Sequence, residues 1–341
     1  MDLADFDYEL PAAAIAQAPP ETREGARLLV IERAGDGLTD RSVADLPSLL
    51  RAGDCLVVND SRVIPARVLA EDADGRPVEL LFVEPVTDGA WRAMVRPGRR
   101  CRPGAHLRAG AVRLRVVAAE DDGTRLIVRE NGSIVALLDA VGMPPLPPYI
   151  ARHAKPAPED WERYQTVYAR APGSVAAPTA GLHFSDALLG RLRAAGVEVH
   201  AITLHVGPAT FRPIKTATIE AHSLPAERAV VAPATAAALN AARAEGRRVV
   251  AVGTTVTRTL ESAAGDDGRL APLDGPASIY IRPGHGFRTV DALLTNFHLP
   301  RSSLLVLVAA FAGRERILRA YRHALAAGYR FYSYGDATLI A

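Results

Sequence analysis

The sequence predicts an α/β protein that carries a second, smaller module of short antiparallel β-strands. Three observations carry that prediction. From about Gly173 onward, strand-like and helix-like patterns alternate, which argues for a largely parallel sheet with crossover helices. Between about Leu69 and Asn131 the texture changes to short β-rich runs separated by turn clusters, the rhythm of a small barrel or sandwich. The 341 residues are too many for one ordinary compact domain and suit two. The expected division is 1–68 with 150–341 for the α/β domain and 69–149 for the insertion.

In chain order, the segment Asp5 to Val58 reads as a cap for the main body. Leu46, Leu49 and Leu50 lie on one face of a short helix, and Cys55 to Val58 follows as an apolar strand. The insertion's strands are expected at Val78–Val83, Trp91–Val95, Ala111–Val117 and Thr124–Val128. Thr87-Asp88-Gly89, Arg96-Pro97-Gly98 and Asp121-Asp122-Gly123 are the turns between them, and Pro144 to Pro148 is a stiff exit. Ser185 can cap a helix running through Arg193, stopped by Gly196, before a strand at Val197–Leu204. A helix over Thr235–Glu245 leads to the buried strand Val249–Gly253. Thr255 is the expected cap of the next helix, Ile279–Ile281 a further strand, and Arg314–Ala326 the last long helix. The loops richest in polar residues and glycine fall at the carboxyl ends of these strands, the edge where open α/β sheets bind ligands.

Composition excludes several classes. At 49% hydrophobic and 23% charged, the chain has material for a real core, and its net charge of +2 does not announce a nucleic-acid binder. Cys55 and Cys101 lie far apart with no CxxC pairing, which leaves neither a zinc knuckle nor a disulfide framework and suits a reducing cytoplasm. Met1 to Leu10 lacks the pattern of a signal peptide, and the most apolar stretch, Leu304 to Ala312, is too short to span a bilayer, so no membrane role is expected. Oligomeric state leaves no signal in the sequence. GxxxxGK[ST], HExxH, GxSxG and a GxGxxG after a strand are all missing, which disfavours common ATPases, zinc proteases, serine hydrolases and dehydrogenases.

The polar motifs each admit two readings. Asn59-Asp60-Ser61-Arg62-Val63-Ile64-Pro65-Ala66-Arg67 follows an apolar strand and can bind a ligand or close a salt-bridged turn. In Pro178-Thr179-Ala180-Gly181-Leu182-His183-Phe184, Gly181 permits close approach and the amides after it favour an anion; His183 can act as acid or base, or pair with a loop carbonyl. His205-Val206-Gly207-Pro208-Ala209-Thr210-Phe211 leaves a strand as a candidate site or as a rigid turn. Thr254 and Thr255 open a helix that carries Arg258; they can hold a carboxylate or phosphate, or act as ordinary caps. Asn296-Phe297-His298-Leu299-Pro300-Arg301-Ser302 and Ser333-Tyr334-Gly335-Asp336 complete the set. Finally, Arg92, Arg96, Arg99, Arg100, Arg102, Arg108, Arg113 and Arg115 lie in a stretch with no Asp or Glu. That is either a phosphate-backbone surface or a solvated face balanced by acids from elsewhere.

Together with Asp5-Phe6-Asp7-Tyr8-Glu9-Leu10-Pro11, Ile15-Ala16-Gln17, Arg163-Tyr164-Gln165-Thr166-Val167-Tyr168 and Val290–Ser302, these motifs closely resemble the QueA family, S-adenosylmethionine:tRNA ribosyltransferase-isomerase, nearly end to end. The resemblance implies an α/β catalytic domain interrupted by a β-barrel. It also implies a cytoplasmic enzyme that builds the ribosyl unit of S-adenosylmethionine onto 7-aminomethyl-7-deazaguanine at the tRNA wobble position, releasing adenine and methionine. S-adenosylmethionine is then a co-substrate, tRNA the partner, and no metal or further cofactor is implied. Such chemistry needs a general base, a proton donor for adenine and a dry pocket.

The residues in matching motifs set the expectations. His183 and His298 are the first choices for proton transfer, with His205 and Asp60 as further candidates. Asn59, Arg62, Arg67, Thr179, Gly181, Thr254, Thr255, Arg258, Asn296 and Asp336 are expected to bind substrate, and Arg96, Arg99, Arg100 and Arg102 to contact tRNA. Two departures stand out. Gly207-Pro208-Ala209 replaces the family's Gly-x-Gly, and His222-Ser223-Leu224-Pro225-Ala226-Glu227 lacks the second His of His-x-Met-His-x-Glu. They leave open a paralogue with another deazapurine or nucleic-acid acceptor, and a non-catalytic RNA-binding protein on the same scaffold.

Overall fold

A computed structural model of the chain describes residues 1–86, 89–152, 155–208 and 213–341. Thr87 and Asp88 of one expected turn, and Ala209 to Phe211 of the His205 motif, lie outside the described residues. The chain forms two compact units. The first comprises Met1–Ser61, Gln165–Ala171 and Ala177–Ala341, the second Arg62–Tyr164 and Pro172–Ala176.

The first unit is built on a nine-stranded mixed sheet. Its strand order is Leu273–Ala277, Glu227–Val231, Glu198–Leu204, Cys55–Asn59, Val249–Val252, Ala292–Asn296, Ala337–Ile340, Arg27–Ile31 and Leu38–Ser42. Glu198–Leu204, Cys55–Asn59, Val249–Val252 and Ala292–Asn296 run parallel, with Cys55 opposite both Glu198 and Val249. Three of these four strands are buried along their whole length and are mostly apolar, as strands covered on both faces are, two of them ending in an Asn at the carboxyl edge. Phe184, Leu188 and Leu192 pack with Leu56, Val250 and Leu294 in one core cluster. Ser185 caps its helix, Asp186–Ala194, by accepting from Leu188 N at 3.0 Å, as its sequence position implies.

Three expectations are corrected here. The N-terminal segment is no cap: it supplies three strands of the main sheet. Residues 279–281 form no strand, and the edge strand is Leu273–Ala277. Thr255 does not cap its helix, which begins at Thr254 with Gly253 in the capping position at φ +93°.

The second unit is a closed barrel of six strands, all antiparallel: Arg125–Arg129, Trp91–Arg96, Pro77–Pro85, Arg67–Glu71, His106–Ala109 and Val112–Ala119. Burial alternates along its strands. Val78, Leu80 and Phe82 point inward from one strand and Leu114 and Val116 from another. Closure removes the exposed edges that a six-stranded sheet would otherwise present. The helix Ile134–Val141, capped by Ser133, adds Ile134, Leu137 and Leu138 to the barrel core. The Arg67 and His106 strands escape the sequence pattern because each is short and mixes Arg or His with its inward apolar residues. No helix among the described residues is long and apolar enough to cross a membrane.

Candidate active site

Parallel strands bring their carboxyl ends to one edge. Here Asn59, Leu204, Val252 and Asn296 end their strands together, and the polar motifs continue from them. A cleft opens there, walled by Pro178–Ala180, Val206, Gly253–Thr255, Asn296, His298 and Tyr332. It holds a cavity of about 40 Å³.

Asn59 braces the edge. Its Oδ1 accepts from Leu204 N at 3.0 Å and Ser61 N at 3.1 Å, and its Nδ2 donates to Leu204 O at 3.0 Å and Thr255 Oγ1 at 3.4 Å. Asp60, also buried, accepts from Thr203 Oγ1 at 2.6 Å and from Arg170 Nη2 at 2.7 Å, the Arg170 side chain itself being exposed. Across the cleft, Thr179 Oγ1 donates to Asn296 Oδ1 at 2.9 Å, and Asn296 Nδ2 to Tyr332 O at 3.1 Å. Tyr332 has φ +76°, a costly conformation for an aromatic residue, and it belongs to the cleft wall. Sequence reasoning missed it, because positive φ at a tyrosine leaves no mark in the sequence.

The helix Thr254–Ala263 starts at the cleft with no side-chain cap. Its first amides, together with the Thr254 and Thr255 hydroxyls, can receive a carboxylate or phosphate oxygen.

The three histidines differ. His298 lines the cleft, with Nε2 3.1 Å from Thr295 Oγ1 and no hydrogen-bond partner for Nδ1 among the described residues. Burial pushes its pKa down to about 3, so the ring stays neutral. His183 lies outside the cleft wall, with Nδ1 3.1 Å from Ala180 O and Nε2 3.0 Å from Gly335 O. A neutral ring can donate to only one of these carbonyls. Burial lowers the His183 pKa while the two carbonyls pull the other way. His205 Nδ1 is buried without a partner, and burial followed by Arg228 depresses its pKa.

Several expected substrate ligands do other work. Gly181 makes room for a side chain: a Cβ there would stand 2.1 Å from Tyr168 Oη. Arg258 is buried in an ion pair with Glu227 and reaches the carbonyls of Ala277 and Ile279, each at 3.3 Å. Glu227 in turn accepts from Gly207 N at 2.8 Å, which ties the loop after Leu204 to the Thr254 helix. Asp336 accepts from Arg27 N at 2.9 Å and Arg330 N at 2.7 Å, joining two segments of backbone. Arg62 and Arg67 belong to the barrel unit; Arg67 is buried there, 2.7 Å from Glu79 Oε1.

In the barrel unit, Arg99, Arg100, Arg102 and His106 line a surface cavity with Arg76, Asp72 and Asp74. Arg92 pairs with Glu84 and Glu120, Arg108 with Glu71, and Arg100 lies 3.7 Å from Asp72. Among the described residues, the exposed Arg96, Arg99, Arg102, Arg113 and Arg115 have no carboxylate partner. Arg113 stands directly opposite Arg108, and Arg115 opposite His106, on the outer face of one strand pair; like charges so placed repel.

Away from the cleft, at the amino edge, Cys55, Glu198 and His200 come close enough to hold a metal ion. Arg247 already supplies the positive charge there, 2.9 Å from Glu198 Oε1 and 3.6 Å from Cys55 Sγ.

Residues 3–340 match the family model described as queuosine biosynthesis protein. An S-adenosylmethionine:tRNA ribosyltransferase-isomerase of Anaeromyxobacter dehalogenans is 53% identical over 345 residues, covering 100% of this chain and 99% of that one. The protein of that name from Thermus thermophilus is 52% identical, covering 99% of each chain. The solved S-adenosylmethionine tRNA ribosyltransferase of Thermotoga maritima is 35% identical with a TM-score of 0.57, covering 99% of this chain and 100% of its own. From end to end, therefore, the chain belongs to the queuosine biosynthesis (QueA) family of S-adenosylmethionine:tRNA ribosyltransferase-isomerases.

Proposed function

We propose that the protein transfers and isomerises the ribosyl moiety of S-adenosylmethionine onto 7-aminomethyl-7-deazaguanine at the wobble position of tRNA. The products are the epoxyqueuosine nucleoside, adenine and methionine, and the reaction runs in the cytoplasm. The observation that carries this reading is the family's motifs meeting at one cleft, lined by both a helix start and a neutral histidine. The helix start at Thr254 and Thr255 suits the methionine carboxylate of the donor.

His298 is the proton-transfer group of this scheme. A ring so desolvated does not retain a proton. It takes one from the ribose 5′ carbon, made acidic by the sulfonium, and hands it on to the departing adenine. The acceptor's amine then attacks the vinyl sulfonium left behind. The carbon beside sulfur closes onto the freed aldehyde, and methionine leaves as the epoxide forms. His183, between two carbonyls, holds the loop that carries Thr179. Incubation with S-adenosylmethionine and tRNA bearing the aminomethyl base should release adenine and methionine in equal amounts, with the new nucleoside seen by mass spectrometry. Methyl transfer, or adenine release without a modified nucleoside, would rule the function out.

The unpaired arginines of the barrel unit make the tRNA contact of this proposal. Arg99→Glu/Arg102→Glu should weaken modified and unmodified tRNA alike, since phosphate contacts carry little sequence information. Each lost contact should flatten the dependence of log affinity on log salt by about one unit or less. A folded variant with the parent's affinity and salt slope would return these arginines to a solvated face.

A further inference from the structure

Within the α/β unit, six buried side-chain polar atoms of the described residues have no hydrogen-bond partner, and four of them belong to the segments around Asp60 and Gly181: Ser61 Oγ, Thr166 Oγ1, Tyr168 Oη and His205 Nδ1. Thr166 and Tyr168 press on the same point, since a Cβ on Gly181 would stand 2.8 Å from Thr166 Cγ2 and 2.1 Å from Tyr168 Oη. Ser61 follows Asp60 in the chain. Burial raises the Tyr168 pKa, with Arg23 opposing and Asp60 reinforcing the shift. At His205, burial and Arg228 depress the pKa while Asp60 pulls it up. The field of one carboxylate therefore reaches both groups.

The cluster adjoins the cleft. Gly181 directly follows the wall residues Thr179 and Ala180, and His205 directly precedes the wall residue Val206. Buried polar atoms without partners are costly, and their concentration beside the cleft marks a place prepared for a polar ligand.

We propose that Thr166, Tyr168 and His205 form the acceptor subsite, taking the edge of the planar deazapurine base while Asp60 faces its cationic aminomethyl arm. This rests on the function proposed above. Hydroxyls and a neutral imidazole can each donate or accept, which suits the alternating lactam and amine edge of such a base. The negative Asp60 attracts an ammonium group and repels the methionine carboxylate of the donor, which the Thr254 helix start serves instead. The exposed Arg170 guanidinium neutralises Asp60 until the ammonium displaces it.

The test removes one oxygen at a time, with Tyr168→Phe and Thr166→Val. For tRNA carrying the aminomethyl base, kcat/KM should fall roughly tenfold with each variant. The dissociation constant of S-adenosylmethionine, measured by calorimetry, should stay within about twofold. The melting temperature should hold or rise, because deleting a buried hydroxyl that has no protein partner is neutral or stabilising. A purely structural role for these hydroxyls predicts unchanged kinetics, and that result would overturn the subsite. So would a loss of S-adenosylmethionine affinity large enough to account for the fall in kcat/KM, since the groups would then belong to the donor. A parent protein that binds both substrates yet never turns them over would remove the proposed function first, and the acceptor subsite with it.

Discussion

His298→Ala is expected to lower turnover by about a hundredfold or more, while S-adenosylmethionine binding changes only a few-fold because the lost interaction acts mainly in the transition state. His183→Ala should act differently, through the loop its ring nitrogens hold between Ala180 and Gly335, and so should weaken folding and donor binding together. Single-turnover kinetics beside calorimetric binding separates the two patterns. If His298→Ala turns over at the parent's rate, the proton passes through another group, and Asp60 becomes the next candidate.

The same histidine sets a pH dependence. His298 has a folded-state pKa of about 3 against an ordinary value near 6.5 in the unfolded chain. Between those values the unfolded chain binds a proton that the folded protein refuses. Its contribution is therefore fully present above pH 6.5 and is lost as pH falls toward 3. His183 and His205 are depressed in the same direction by burial. The parent should accordingly lose more melting temperature between pH 7 and 4.5 than His298→Gln does, and equal losses would contradict the assignment.

The largest stability effect is expected at Glu227. Glu227→Ala would leave the Arg258 guanidinium buried without its counter-charge and remove the acceptor for Gly207 N. Breaking a buried pair on one side costs about 3–5 kcal/mol, which for a chain of this size lowers the melting temperature by roughly 5–15 °C. Glu227→Gln, which still accepts from Gly207 N, should cost less. The double variant Glu227→Ala/Arg258→Met should recover part of the loss, since an apolar pair needs no compensation. Thermal melting of the three proteins decides the matter: a double variant no more stable than Glu227→Ala would show that the charge pair is not the source of the effect.

Much of this molecule is legible in its sequence. The alternation after Gly173 and the evenly spaced β-runs of the insertion both correspond to structure, because each strand's burial follows its own local pattern. The edge where the polar motifs gather is legible too, since parallel strands end together. What escapes is whatever depends on distant partners. Nothing near His183 announces Gly335 O as its neighbour, and nothing near Arg258 announces Glu227. Gly181 looks like a glycine kept clear for a ligand until Tyr168 is seen lying against it. The strands Arg27–Ile31 and Ala337–Ile340 are short and lie at opposite ends of the sequence; only the pairing of Ala337–Ile340 with both Ala292–Asn296 and Arg27–Ile31 joins the N-terminal hairpin to the sheet.

That pairing bears on how the protein is made. Ala337–Ile340 is fully buried and sits between Ala292–Asn296 and Arg27–Ile31, with Leu28 opposite Ala337 and Leu293 opposite Ile340. While the chain is being synthesised, the N-terminal hairpin of Arg27–Ile31 and Leu38–Ser42 can form early, but the slot beside it stays empty until residues 337–340 leave the ribosome. Through that whole interval two strands present bare backbone edges, the template on which chains aggregate. Any change that keeps Ala337–Ile340 out of its slot would leave the same two edges open.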